Sequence, residues 1–185
     1  MTHPCFFGYG SLVNRATHDH ANAHPARVRG WRRAWVQTSL RARPYLTAVP
    51  SSGSEILGLV AEVDGDWTAL DRREEAYARH TLDDIEHPMG TERNVRIYAV
   101  DPGHFADASS APEPLILSYI DVVAQGYLQV FGEDGLNHFF ETTDGWHHPV
   151  QNDRADPIYP RAQSLSREET DMTDTALRAV GARVL

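Results

Sequence analysis

The sequence has a single cysteine and no long hydrophobic run. Cys5 cannot form an internal disulfide on its own, which is typical of a reducing compartment and predicts a cytoplasmic location. Apolar stretches such as Ile56–Val63 and Leu115–Leu117 are a few residues long, whereas a membrane span needs ~20. The N-terminus lacks the charged start and the apolar run of a secretory signal. We therefore expect neither membrane insertion nor export.

Positive charge is scarce in this chain. Asp and Glu number 26 against 17 Lys and Arg, which gives a formal net charge of −9. A negative field repels polyphosphate, so the charge argues against nucleic-acid binding. The same charge mildly favours a small amine-bearing substrate over a strongly anionic one. The 41% of hydrophobic and 23% of charged residues are ordinary for a globular protein and exclude a disordered or fibrous class.

The length and the hydrophobic pattern predict one α+β domain that spans residues 1–185. A chain of 185 residues buries enough surface for a core without disulfides or a structural metal. We expect about five strands in a small, largely antiparallel, barrel-like sheet surrounded by helices. Turn-forming residues at Pro50–Glu55 predict a hairpin connection between two of the strands. The predicted strands are Phe6–Tyr9, Arg29–Thr38, Tyr45–Val49, Ile56–Val63, His80–Ile85 and Asn94–Val100.

Capping patterns mark the starts of the predicted helices. Ser118 with Asp121, and Ser166 with Glu169, have the spacing of a capping box. Asp66 is placed to cap an earlier helix. The predicted helices are Trp67–Arg79, Ser118–Val130, Glu133–Thr142 and Ser166–Val180.

Two glycines flank an aromatic residue in the segment Phe7–Leu12, directly after a predicted buried strand. Gly8 and Gly10 allow backbone conformations that other residues resist, so successive N–H groups could converge into an anion-binding nest. The alternative is a tight turn with Tyr9 packed in the core. The local pattern alone favours the tight turn.

One carboxylate lies on an apolar helix face. Glu74 shares the predicted face of Leu70 and Tyr77, so it points toward the interior. Such a carboxylate is either paired with an arginine or desolvated for acid–base work, and both readings stay open. Glu75 is a rival, although it is rotated ~100° from its neighbour on a helix.

Together, the Tyr9–Leu12 opening and the Leu70–Glu74 helix resemble the γ-glutamylcyclotransferase family, which includes the ChaC type that degrades glutathione and the plant AIG2-like proteins. Tyr119 followed by Gly126 is similar to a later family feature. Leu12 follows the Tyr-Gly-Ser motif as in ChaC-type proteins, whereas the animal enzymes have Asn there. The segment Glu75–Tyr77 stands where the family usually has a Gly-rich stretch. The shape of the substrate pocket, and with it the identity of the leaving group, therefore stays open.

The resemblance implies an enzyme that cyclises the γ-glutamyl group of an amide or amine substrate to 5-oxoproline and releases the amine. It implies that Glu74 is the general acid/base, without a metal or another cofactor. The alternative is a non-catalytic binding module of the same fold that recognises a γ-glutamyl-like small molecule. The oligomeric state is not visible in the sequence. The resemblance assigns substrate binding to Tyr9, Gly10, Ser11, Leu12 and Tyr119.

Several other polar residues admit two readings. His18, His20 and His24 could bind a metal only if their stretch were helical, and a polar surface segment is favoured. The irregular segment Thr143–Arg161 is long enough to suggest a functional role. Within it, Asn152–Arg154 could fix the loop or touch substrate, and His147–His148 could line the cleft or be exposed. We expect Arg79 to pair with an acidic neighbour.

Overall fold

The computed structural model describes residues 4–63, 65–90, 94–106 and 113–185. A seven-stranded sheet forms the centre of the fold. Its strands are β1 (Cys5–Gly8), β2 (His24–Thr38), β3 (Arg41–Glu62), β4 (Ala78–Thr81), β5 (Ile85–Glu86), β6 (Val95–Ala99) and β8 (Thr143–Asp144). A separate two-stranded ladder joins β7 (Leu115–Ile116) to β9 (Val150–Gln151). The helices are α1 (Thr68–Arg73), α2 (Leu117–Glu141) and α3 (Arg167–Ala179).

The sheet is mixed, mostly antiparallel and open. Its order is β4-β6-β1-β3-β2-β5, with β8 pairing β2 off this path. The β1–β6 and β2–β8 pairs are parallel and the others are antiparallel. The α+β prediction is therefore confirmed. The sheet is not a closed barrel, because the ladders of the described residues leave β4 and β5 at opposite ends.

The predicted hairpin at Pro50–Glu55 is wrong, because β3 runs straight through this segment and both of its halves pair with β2. Trp31 pairs with Pro50 and Arg29 pairs with Glu55, so the turn-forming residues make a bulge inside one strand. Gly53 in the bulge has a φ of 80°. The chain reverses instead between Thr38 and Arg41.

The predicted helix Trp67–Arg79 is also too long. Helix α1 ends at Arg73, and Glu74 is its C-terminal cap with φ −105° and ψ 34°. The residues beyond it form β4, which pairs with β6 at the edge of the sheet. Non-local strand pairing therefore overrides the helical pattern after Glu74.

The capping-box prediction at Ser118 is wrong, because α2 begins at Leu117 and Ile116 is the N-cap. The Ser118 backbone N–H instead donates to Asp153 Oδ1 over 2.7 Å. The prediction of two helices within 118–142 is confirmed, since α2 consists of two helical parts separated by a kink at Gly132, where φ is 71°. In α3 the prediction is confirmed, since Ser166 and Glu169 form both bonds of a capping box.

The main core lies between the sheet and α2, and it contains a fully buried guanidinium. The Arg33 side chain has no exposed surface and donates to the Tyr127 hydroxyl over 2.9 Å and to the Leu57 carbonyl oxygen over 3.1 Å. Further acceptors at the C-terminal end of α2 connect it to that helix. Burial lowers the pKa of Arg33. Cys5 is buried in the same core.

Within the part of the chain that the structure describes, no helix combines the length and the apolar character that crossing a membrane requires.

Candidate active site

Two adjoining cavities open beside the glycine turn that follows β1. The inner cavity has a volume of about 30 Å³ and is lined by the whole Phe7–Leu12 segment. The outer cavity has a volume of about 190 Å³ and reaches the loop that contains Tyr159 and Arg161. The side chains that line both cavities are Ser11, Leu46, Glu74, Tyr77 and Tyr119.

Glu74 is the carboxylate that faces this cleft. Its side chain is 17% exposed, and its Oε1 lies 3.4 Å from Arg73 Nε. Glu75 is exposed and lies outside the lining of both cavities. Glu74 is therefore paired with an arginine and also largely desolvated, and its role in acid–base chemistry stays a prediction.

The surroundings of Glu74 shift its titration upward. Burial raises the pKa of the Glu74 carboxyl, while the charges of Arg73 and Arg161 lower it by less. A raised pKa brings a carboxyl closer to the range in which it can both accept and donate a proton near neutral pH. This environment suits a proton shuttle.

Arg73 links Glu74 to the glycine turn, and the sequence pattern did not single it out. Its guanidinium donates to the Thr17 carbonyl oxygen over 3.0 Å and to Ser11 Oγ over 3.3 Å. Burial lowers the pKa of Arg73, and the charge of Glu74 opposes this shift. A basic residue directly before an inward glutamate is the signal that could have found it.

The glycine turn lines the inner cavity. Gly10 is the N-cap of a short 3₁₀ turn over Ser11–Val13. The first N–H groups of such a turn have no partner within it, so they are available to an acceptor. The Tyr119 hydroxyl oxygen lies close to this turn, 2.8 Å from where a Cβ at Gly10 would be.

The expected reason for the glycines needs correction. Gly10 has a φ of −114°, so it does not use the left-handed region. A Cβ at Gly10 would lie 2.8 Å from the Tyr119 hydroxyl oxygen, and one at Gly8 would lie 2.6 Å from Leu12 Cβ. Close approach of neighbouring side chains therefore requires glycine at both positions.

Tyr9 and Leu12 are core residues that also form the wall of the inner cavity. Both are 6% exposed. The Tyr9 hydroxyl donates to the Tyr98 carbonyl oxygen over 2.5 Å, and burial raises the pKa of Tyr9. Leu12 packs against Phe6 in a second, smaller core cluster.

Tyr119 lies between the two cavities. Its ring packs edge-on against Tyr159 and Trp35, with centroid distances of 5.0 and 5.9 Å. Burial raises the pKa of Tyr119, so the hydroxyl keeps its proton at neutral pH. Tyr77 forms another wall, and its hydroxyl donates to the Leu46 carbonyl oxygen over 2.8 Å.

The 152–154 segment fixes the loop rather than lining either cavity. Arg154 makes two hydrogen bonds of 2.7 Å to the Asp121 carboxylate, and Asp153 accepts a hydrogen bond from Ser118. These contacts hold the path of the loop, whose later residues Tyr159 and Arg161 do line the outer cavity.

The remaining candidates lie outside the cleft. The His18 ring nitrogen Nε2 lies 3.0 Å from the Leu12 carbonyl oxygen, and the described residues contain no cluster of metal-binding side chains. His147 and His148 pack on each other with centroids 4.3 Å apart, and neither lines the two cavities. Arg79 pairs with Asp71 over 3.0 Å, as expected.

Comparison with known proteins identifies the family. The family model described as gamma-glutamyl cyclotransferase, AIG2-like, matches residues 6–117, which is more than half of the chain. The chain therefore belongs to the AIG2-like γ-glutamyl cyclotransferase family, and the resemblance seen in the sequence is confirmed. No curated protein matches the chain significantly.

Solved structures show the same fold at low identity. A protein named gamma-glutamyl cyclotransferase is 16% identical, with a TM-score of 0.56 over 93% of this chain and 98% of its own. A Homo sapiens protein described as uncharacterized protein loc79017 is 17% identical, with a TM-score of 0.58 over 94% and 99%. YkqA from Bacillus subtilis is 15% identical, with a TM-score of 0.57 over 78% and 57%.

Proposed function

We propose that this protein is a γ-glutamyl cyclotransferase that converts a γ-glutamyl amide or amine into 5-oxoproline and a free amine, with Glu74 as general acid/base. One observation carries the proposal above all. A largely desolvated carboxylate lines a cavity that the glycine turn also lines. The family membership and the shared fold support the same reaction class.

The substrate supplies its own nucleophile. Its α-ammonium gives a proton to the Glu74 carboxylate, and the resulting amine attacks the γ-carbonyl carbon of the same molecule. The new carbon–nitrogen bond closes a five-membered lactam, and the bond to the leaving nitrogen breaks as Glu74 returns a proton to it. The α-nitrogen loses two protons in total and the released amine gains two, so the reaction consumes no net proton.

Each task in this scheme has a candidate group on the protein. Intramolecular attack already has a high effective molarity, so the protein mainly has to hold the substrate folded and move protons. The Ser11 and Leu12 N–H groups, which have no hydrogen-bond partner among the described residues, suit the substrate carboxylate or the developing oxyanion. Tyr119 lines both cavities, and burial raises its pKa, so its hydroxyl is a protonated candidate donor to the substrate.

The test is the release of 5-oxoproline from a small panel that contains a γ-glutamyl dipeptide, a γ-glutamyl amine and glutathione. We expect release from at least one of them, and its loss in the Glu74→Gln variant. Binding without release from any compound would favour the non-catalytic binding module. Absence of both binding and release would overturn the proposal.

The single-domain organisation over residues 1–185 and the cytoplasmic location rest on sequence arguments alone and stay predictions. Limited proteolysis tests the first and cell fractionation tests the second.

A further inference from the structure

The outer cavity has a local charge opposite to that of the whole chain. Four arginines line it, and Glu74 is the acidic residue of its lining within the part of the chain that the structure describes. The chain as a whole has a net charge of −9. The expectation that net charge favours amine-bearing substrates therefore does not hold for this cavity. The four arginines are Arg41, Arg43, Arg73 and Arg161.

Two of these arginines already have carboxylate partners. Arg73 pairs with Glu74 over 3.4 Å. Arg43 pairs with Glu113 over 3.1 Å and donates to the Pro114 carbonyl oxygen over 2.6 Å. The positive charges of Arg73 and Arg43 are therefore compensated in part by carboxylates of the same chain.

The other two have no carboxylate partner among the residues that the structure describes. The Arg41 guanidinium donates to the carbonyl oxygens of Arg43 and Pro44 over 2.8 and 3.0 Å and lies 3.4 Å above the Tyr45 ring centroid. Arg161 forms no ion pair there, and its guanidinium makes no hydrogen bond in the same described ranges. A guanidinium offers five N–H donors, so both side chains keep capacity for an anion.

Arg161 is placed to reach the far end of a bound substrate. It lines the outer cavity together with Tyr159 and Glu74, whereas neither Arg161 nor Tyr159 lines the small inner cavity that the glycine turn surrounds. Its charge lowers the pKa of Glu74, so its field reaches the proposed reaction centre. A γ-glutamyl group seated at the glycine turn would direct its leaving amine into the cavity that Arg161 lines.

We infer that Arg161, assisted by Arg41, is a specificity-determining residue that binds a carboxylate on the leaving amine. The inference rests on the proposed function. It makes the preferred substrates γ-glutamyl derivatives of amino acids, or of other carboxylate-bearing amines, rather than of uncharged amines. Arginine suits this role because its planar fork matches a carboxylate with two parallel hydrogen bonds.

The experiment compares γ-glutamyl-alanine with γ-glutamyl-alaninamide, which differ only in the charge of the leaving group. We measure kcat/KM for 5-oxoproline release with the wild-type protein and with Arg161→Gln. We expect the wild type to prefer the acid by about tenfold, and Arg161→Gln to lose about tenfold on the acid but less than about twofold on the amide. Arg167→Gln is the matched control, because Arg167 lies on α3 with a side chain that is 96% exposed.

A separate binding measurement keeps this inference distinct from the proposed reaction. Calorimetric titration of Glu74→Gln, with and without Arg161→Gln, measures affinity for both compounds when turnover is removed. Weaker binding of the acid alone in the double variant supports the inference even if no compound is cyclised. Equal losses on acid and amide would place Arg161 on the γ-glutamyl carboxylate instead and overturn it, as would no loss on either compound.

Discussion

Arg73 and Glu74 are neighbours in the chain and form an ion pair of 3.4 Å, with side chains that are only 11% and 17% exposed. The same guanidinium also bonds to Ser11 and Thr17. One largely buried cation thus connects the cleft carboxylate to the glycine turn. Because α1 ends at Arg73, the two side chains leave the helix where the chain turns toward the sheet.

The pH dependence should report the balance between burial and charge at Glu74. Burial raises the pKa of Glu74 and Arg73 lowers it by less. Since the carboxylate must be ionised to accept the ammonium proton, we expect the acid limb of kcat/KM to lie above the range of an exposed glutamate. Arg73→Gln removes an opposing charge and should move the limb to higher pH.

A pH–rate profile of the wild type, Arg73→Gln and Glu75→Gln measures this shift. Glu75 is exposed, so its variant should leave the limb in place. A limb that stays fixed or moves to lower pH in Arg73→Gln would show that Glu74 is not the group that titrates.

Gly10 and Tyr119 should be coupled through steric contact. A Cβ at Gly10 meets the Tyr119 hydroxyl oxygen at 2.8 Å, whereas the next atom, Leu46 Cδ2, lies at an ordinary 3.5 Å. We expect Gly10→Ala to lower the free energy of unfolding by about 1–3 kcal/mol. Tyr119→Phe removes the clashing atom, so the double variant should recover at least half of the loss in denaturant unfolding. Additive losses would argue against this contact.

The close contact between Gly10 and Tyr119 should also affect turnover. Gly10→Val should reduce turnover more than Ser11→Ala, because it displaces Tyr119 and the turn, whereas Ser11→Ala removes only a 3.3 Å bond from Arg73. Rates of 5-oxoproline release measure the order. Equal, mild effects would count against a backbone cradle at the turn.

The Arg154–Asp121 pair should stabilise the fold strongly. The Asp121 side chain is only 6% exposed, so Arg154→Gln removes the charged partner of a buried carboxylate. We expect a loss of about 2–4 kcal/mol near neutral pH. Burial raises the pKa of Asp121 above its ordinary value. The loss should therefore appear as pH rises through this raised range and shrink below it, where Asp121 is protonated in the folded state with or without Arg154.

Denaturant unfolding at pH 4 and pH 7 tests this pair. Arg167→Gln, at a side chain that is 96% exposed, should change stability by no more than ~0.5 kcal/mol. A deficit in Arg154→Gln that grows as pH falls would contradict the argument.

Local patterns predicted the elements whose signals are local. The capping box of Ser166 and Glu169 and the buried strand at the N-terminus are confirmed. The turn residues of Pro50–Glu55 gave the wrong connection because a bulge and a hairpin use the same residue types, and only pairing with β2 decides between them. The end of α1 was missed because β4 pairs with β6, and a local helical pattern does not reveal that pairing.

Part of the candidate site was also predictable from the sequence, because part of its signal is local. The apolar face with Leu70 indicated that Glu74 points inward, and the structure places it in the cleft. Arg161 was not predictable as a lining residue, since the loop that carries it is held by long-range contacts of Asp153 and Arg154. Net charge also gave no information on a cavity with four arginines, because a pocket samples only the side chains around it.

The most direct test of the account compares Glu74→Gln with Glu75→Gln, two adjacent isosteric changes that place the lost charge inside and outside the cleft. Rates of 5-oxoproline release and calorimetric binding of the same γ-glutamyl substrate are measured for both. We predict that Glu74→Gln loses ~10²-fold or more in kcat while it still binds substrate, and that Glu75→Gln retains wild-type turnover. Wild-type turnover in a folded Glu74→Gln variant would contradict the account.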